Sequence, residues 1–273
     1  MSWERIHSCF GLAEEVAEYD YPFNVHFLDV GQGDSSLIVS GENAVLIDGS
    51  ERDYGARIVD YLYAQGVEKL DCVVATHPHA DHIGGLIEVL KNFDVDNVLM
   101  PKLSEANIPT TKVYEDFLNA VRESGAKVFA AVPLDEYAYG EIKFTVFAPV
   151  AEDENLNNMS VVLRAEYGGT SFLFTGDAEK GSENLMLEKG YDISSTVIKI
   201  GHHGSNTSSS GVFMSRVSPS YAVISCGEGN SYGHPHREIL SLLSSRDIEY
   251  FRTDTGGDIV FGVDSEVHVF SQK

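Results

Sequence analysis

Cysteine, basic residues and long apolar runs are all scarce in this sequence. Its three cysteines, Cys9, Cys72 and Cys226, form no Cys-x-x-Cys pair and are odd in number. They read as small core fillers in a reducing cytoplasm rather than as disulfide partners. Lysine and arginine total 19 against 42 acidic residues, giving a formal charge of −23 at pH 7. Such a surface repels nucleic-acid phosphates and anionic membranes at long range, so it cannot serve as a general footprint for DNA. A phosphate-bearing substrate has to be attracted locally, by cations in a cleft. No stretch approaches the roughly 18 consecutive apolar residues of a membrane span, and the stretch from Met1 to His7 has no apolar export core or cleavage site. The expectation is a cytoplasmic chain with no stable membrane association.

What is present is a full-sized core, with 43% hydrophobic residues in 273. Residues 1–22 read as an acidic helical preface ended by Pro22, and residues 23–273 as one domain. A weak two-fold repeat runs through it. Residues 36–48 read as strand, glycine turn and strand ending in Asp48, and residues 160–177 repeat the pattern and end in Asp177. A helical stretch follows each, around Ile58 to Leu62 and around Asn184 to Leu187. A buried strand then runs into histidines, at His77 in the first half and at His202 and His203 in the second. Two such halves packed face to face bring these ends to one rim. Helical patterns at 89–93, 113–123 and 239–244 supply outer layers, which predicts an α/β four-layer αββα sandwich, two sheets with helices outside.

The strongest chemical signal is His77-Pro78-His79-Ala80-Asp81-His82, placed between a buried strand and a helix that opens at Ile83-Gly84-Gly85. On extended backbone His77 and His79 face the same side, and the turn into the helix redirects Asp81 and His82. One segment can therefore face two metal ions. Imidazole and carboxylate donors suit zinc, iron or manganese, and no cysteine lies near to make a thiolate zinc site. Pro78 holds the segment extended, and Gly84 and Gly85 allow close backbone approach. Asp177, in Thr175-Gly176-Asp177, is the natural bridging carboxylate, because a shared ligand keeps two ions near the spacing of about 3.5–4 Å used in two-metal hydrolysis. His202 or His203 completes the second site, with His203 favoured. Asp48 is expected to hydrogen-bond a ligand or loop rather than bind metal. Asp34 either acts similarly or caps a turn, and the Gly31-Gln32-Gly33 turn carries no nucleotide fingerprint.

These segments resemble the metallo-β-lactamase superfamily. More narrowly, residues 26–35, 76–85, 160–163 with 175–177, 201–205 and 232–235 resemble, in order, the hydrolase domain of the bacterial competence (DNA-uptake) proteins of the ComEC type. The resemblance implies an αββα fold, a dinuclear site for two divalent ions, zinc or manganese, and hydrolysis of phosphodiesters, plausibly DNA or a small phosphodiester, by a metal-bridging hydroxide. The chain is expected to be a stand-alone relative without a membrane channel. It departs from many superfamily members at residues 155–160, where no histidine precedes the Thr-Gly-Asp strand. There Asn158 either offers an amide oxygen or a held water, which shifts preference from zinc toward manganese, or belongs to a plain polar turn.

In the Gly/Pro loop at 232–236, His234 is assigned either proton donation to the leaving oxygen or binding of substrate phosphate, against a role as a helix-entry residue. Ser205, with the hydroxyls up to Ser210, is a second candidate for anion binding or an ordinary cap. Lys199 and Arg164 are expected on a solvated face. His7, His26, His236 and His268 receive no role. Asp81 and His234 are thus the catalytic candidates of a metal-dependent hydrolase. The alternatives are an ester, lactone or thioester hydrolase on the same site, or a metal-binding module without turnover.

Overall fold

The computed structural model describes Tyr19 and residues 21–273. Most of the expected N-terminal preface, with His7 and Cys9, lies outside the described residues. Fifteen strands are found among the described residues. They are β1 (Phe23–Phe27), β2 (Ser36–Ser40), β3 (Asn43–Ile47), β4 (Lys69–Val74), β5 (Asp94–Met100), β6 (Lys127–Ala130), β7 (Glu136–Tyr139), β8 (Ile142–Ala148), β9 (Val162–Tyr167), β10 (Thr170–Phe174), β11 (Val197–Lys199), β12 (Tyr221–Ile224), β13 (Glu249–Arg252), β14 (Ile259–Val263) and β15 (Val267–Ser271). One sheet has the order β15-β14-β1-β2-β3-β4-β5-β6 and the other β13-β12-β11-β10-β9-β8-β7.

The period-two pattern of each strand assigns its two faces. In β3, Val45 and Ile47 enter the apolar layer between the sheets, whereas Ala44 and Leu46 face the outer helices. In β10, Phe172 and Phe174 point between the sheets and Leu173 points out. The inter-sheet layer holds Phe23, Val25 and Phe27 against Phe144, Phe172 and Phe174. Outside the first sheet, α1 (Gly55–Ala64), α2 (Ala80–Ile83), α3 (Leu86–Asn92) and α4 (Lys112–Ser124) supply residues such as Ile58, Leu62, Ile83, Leu86 and Phe117. Outside the second, α5 (Lys180–Lys189), α6 (Gly211–Val217) and α7 (Arg237–Ser244) bring Met186, Phe213, Ile239 and Leu243. A short α8 (Thr253–Gly256) links β13 to β14. The result is the expected helix/sheet/sheet/helix sandwich.

The internal repeat is structural. β2 and β3 pair antiparallel, α1 follows, and β4 lies parallel to β3. β9 and β10 pair antiparallel, α5 follows, and β11 lies parallel to β10. Parallel neighbours end at the same edge of a sheet, which is where ligand sites of α/β sheets form. Asp48 follows β3, His77 follows β4, Asp177 follows β10, and His202 and His203 follow β11. β1 stops at Phe27, where the chain turns; Leu28 N–H donates to Ser35 O across that turn. Among the described residues, no helix is long and apolar enough to cross a membrane.

Candidate metal centre

His79 is the N-cap of α2, with extended backbone (φ −74°, ψ 151°), so the chain stays straight through Pro78 and then coils. His77 and His79 consequently face one side, with His77 Nε2 3.0 Å from His79 Nδ1. The coil carries Asp81 and the buried His82 to a second set of partners. The glycines after it permit this packing: a Cβ on Gly85 would lie 2.2 Å from Gly49 O, and one on Gly84 2.4 Å from Arg52 N. The close approach is thus to the backbone after β3, which fastens the turn to the strand end bearing Asp48.

Asp177 is buried and its two oxygens meet different imidazoles. Oδ1 lies 3.2 Å from His82 Nε2 and 3.6 Å from His203 Nε2; Oδ2 lies 3.8 Å from His77 Nε2 and 3.7 Å from His202 Nε2. Donor atoms of Asp81, His82, Asp177 and His203 all lie within 4.8 Å of one another. His202 and His203 both reach this rim because both take left-handed backbone, with φ 51° and 53°. Two consecutive non-glycine residues there are strained, a feature that clusters at functional sites. His203 is buried and faces Asp81 Oδ2 at 3.3 Å, while the more open His202 turns Nδ1 to Glu179 Oε1 at 3.3 Å and to Thr207 Oγ1 at 3.1 Å.

The second ring nitrogens are anchored. His82 Nδ1 lies 2.7 Å from Asp48 Oδ2, and Asp48 also accepts from Thr76 N–H at 2.8 Å and Thr76 Oγ1–H at 2.7 Å. His203 Nδ1 lies 3.1 Å from Ser225 O and 3.2 Å from Asp34 Oδ1. Both rings are therefore fixed at Nδ1 and leave Nε2 toward the acidic centre, the arrangement by which outer partners orient metal-binding imidazoles.

The positions of other residues correct or complete the sequence reading. Lys199, expected on a solvated face, is buried and paired with Asp34 Oδ2. The alternation of β11 carried the signal, since Lys199 shares a face with Val197, which lies between the sheets. Arg164 is partly covered, lying over the Phe147 ring with its guanidinium donating to Asp192 O and Ser194 O. Asn158 ties its loop to the start of α5: its Oδ1 accepts from Glu179 N–H and Ser182 N–H, both at 3.2 Å, and its Nδ2 donates to Asp153 Oδ2. Ser205 is buried and its Oγ pairs with Thr207 Oγ1 at 3.0 Å. His234 is half-buried, its ring centroid 5.7 Å from that of His202 and 6.3 Å from that of His203. Sequence reasoning missed Glu179 beside His202, whereas Thr207 lies in the hydroxyl run singled out from Ser205 to Ser210.

The electrostatics call for positive charge. Burial opposes ionisation of Asp177, yet His203, His82 and His77 hold its carboxyl well below the usual range. Burial likewise opposes charge on His82 and His203, but Asp177 and its fellow carboxylates overcome it, holding His82 well above the usual range and His203 at about 9. At His77 and His79 burial outweighs the pull of Asp177 and Asp81 and lowers both. Burial and the neighbouring His203 and His236 bring His234 to about 4. Within this cluster, His82 Nε2, His203 Nε2 and Asp177 Oδ1 are buried without hydrogen-bond partners. Unpartnered buried donors and acceptors are costly. Imidazole nitrogens and a carboxylate oxygen converging in this way fit a divalent cation, whose binding requires neutral rings and displaces their protons.

The fold and this rim of histidines and aspartates are those of a metallo-β-lactamase type of domain, and the chain belongs to the metallo-β-lactamase superfamily, whose model matches residues 28–228. Among curated proteins it is similar to ComE operon protein 3 of Bacillus subtilis, at 34% identity over 90% of this chain and 34% of that protein. It is also similar to competence protein ComA of Neisseria gonorrhoeae, at 35% identity over 86% of this chain and 31% of that protein. The chain thus spans about a third of the length of these relatives. Among solved structures, CmlA, a diiron β-hydroxylase from Streptomyces venezuelae, shares the fold at TM-score 0.60 and 13% identity, covering 95% of this chain and 59% of CmlA.

Proposed function

We propose that this chain is a metal-dependent phosphodiesterase acting through two divalent ions, manganese or zinc, at the rim built by Asp177. The observation that carries the reading is the division of the Asp177 carboxylate. Oδ1 faces His82 and His203, near Asp81, and Oδ2 faces His77, next to His79, with His202 on its other side. One set of residues, His77 and His79 with Asp177, would hold the first ion; Asp81, His82 and His203 with Asp177 would hold the second. Bound there, the ions would activate water and neutralise phosphoryl oxygens as Lewis acids.

The chain's own residues do the rest. Asp48 and Asp34 fix the rings of His82 and His203, and His234 stands at the rim to contact the substrate. Local positive charge is what lets a chain of net charge −23 accept a phosphodiester, so binding of long DNA is weak and falls with salt. A phosphodiester is favoured over a carbon ester by the similarity to a competence protein over 86% of the chain.

The test is metal content and turnover on protein stripped of metal and reloaded with manganese or zinc, with His79→Ala as control. About two equivalents bound and metal-restored, His79-dependent cleavage of bis-nitrophenyl phosphate are the expected results. Hydrolysis of a nitrophenyl carboxylic ester alone would overturn the phosphodiesterase reading and leave an esterase or lactonase. Binding of less than one equivalent would overturn the dinuclear site in favour of a module without turnover.

A further inference from the structure

The most unusual charge in the molecule is Lys199. It closes β11 with its side chain only 2% exposed, and its ammonium reaches two acceptors, Asp34 Oδ2 and Ile200 O at 3.2 Å. Asp34 is equally buried, at 4% side-chain exposure. The pair joins the two halves of the sandwich, because Asp34 lies in the turn between β1 and β2 of one sheet and Lys199 belongs to the other.

Asp34 is a hub. Its N–H donates to Asp81 O at 3.1 Å and its carbonyl accepts from Ser50 N–H at 2.8 Å, tying its turn both to Asp81 and to the segment after β3. A Cβ on the preceding Gly33 would lie 2.6 Å from Asp81 O, so this contact excludes any side chain there. Asp34 Oδ1 lies 3.2 Å from His203 Nδ1, and Oδ2 lies 3.8 Å from His82 Nδ1. Asp34, Asp48 and His82 thereby form a second acidic cluster beside the first. A buried carboxylate in that place, without a counter-charge, would draw imidazole N–H groups or a cation toward itself.

We propose that Lys199 is a positioning residue of the metal centre: a tethered cation that neutralises Asp34 and holds it against His203 Nδ1, so that Nε2 stays directed at Asp81 and Asp177. The proposal rests on the metal-binding reading above, and on geometry that the reading does not use. Lys199 touches none of the groups assigned to the ions; it acts through Asp34.

Manganese binding, followed by the electron paramagnetic resonance of the free ion, tests this in four proteins: parent, Lys199→Met, Asp34→Asn and the double variant. Lys199→Met is expected to weaken the tighter or the weaker of two binding steps by about 10–100-fold, the range for loss of an outer partner of a ligand. The double variant removes both buried charges, which preserves folding where a single unpaired charge can abolish it. Because Lys199 acts through Asp34, the double variant should bind manganese about as Asp34→Asn does, with no further loss from the lysine. Parent-like manganese affinity in Lys199→Met, with only a lower thermal midpoint without metal, would make the lysine a structural tie and overturn the proposal. So would losses that multiply in the double variant. A parent protein that binds no manganese or zinc would overturn the metal-binding reading itself, an outcome separate from these.

Discussion

Asp48 Oδ2 lies 2.7 Å from His82 Nδ1, while the opposite nitrogen of the same ring, Nε2, stands 3.2 Å from Asp177 Oδ1. The aspartate fixes the ring and the N–H at Nδ1, which leaves the Nε2 lone pair for a cation. Asp48→Ala should therefore weaken metal binding by about 10–100-fold without removing any donor atom from the cluster. Asp177→Asn, which alters the shared carboxylate itself, should exceed that range. Titration with manganese checks both, and unchanged affinity in Asp48→Ala would show that the ring of His82 needs no outer partner.

The αββα layering was legible because strand alternation and helix periodicity both report burial. In β3 and β10 the apolar residues lie on both faces, as strands covered on both sides require. The ends of the repeated units were legible for the same reason, which is how Asp48, Asp177 and the histidines were brought to one rim. Two things were hidden. The partner of a buried charge cannot be read locally: Lys199 and Asp34 lie far apart in the sequence and meet only because two sheets pack. Likewise the choice between His202 and His203 depends on left-handed backbone at both, which brings each to a different oxygen of Asp177.

Asn158 is a helix cap. Its Oδ1 accepts the N–H of Glu179, the N-cap of α5, and that of Ser182 in the first turn. Asn158→Ala should cost about 0.5–2 kcal/mol of stability, the usual penalty for a lost N-terminal cap, with metal stoichiometry unchanged. Chemical denaturation measures the first and metal analysis the second. Loss of an equivalent of metal would make Asn158 a ligand as well.

His26 gives the fold an acid limit away from the rim. It is buried beneath α1, with Nδ1 2.9 Å from the Tyr61 hydroxyl, and burial lowers its ionisation from 6.5 to about 3. The unfolded chain takes up the proton first, so this residue has no effect above about pH 6.5 and destabilises the fold progressively as pH falls toward 3. The limiting slope is about 1.4 kcal/mol per pH unit. His26→Gln should remove that slope from the difference between denaturation free energies at pH 6.5 and pH 4.5. An identical pH dependence in parent and variant would mean that the ring is protonated in the fold.

His234 is set up as a hydrogen-bond donor. Gln32 Oε1 accepts from Gly227 N–H at 3.1 Å, which orients the amide so that Gln32 Nε2 faces His234 Nδ1 at 3.4 Å. With Nδ1 accepting, the proton of the neutral ring sits on Nε2, and the ring stands beside those of His202 and His203. Such a donor suits a non-bridging phosphoryl oxygen, where a hydrogen bond to a charged group contributes about 1.5–3 kcal/mol, or roughly 10–150-fold in kcat/KM. His234→Ala should show a loss of that size with metal content intact, and Gln32→Ala a smaller loss in the same direction. The size should be the same for a nitrophenyl and an alkyl leaving group, because the contact is not with the departing oxygen. A loss confined to the alkyl substrate, whose alkoxide needs a proton, would instead make His234 the general acid.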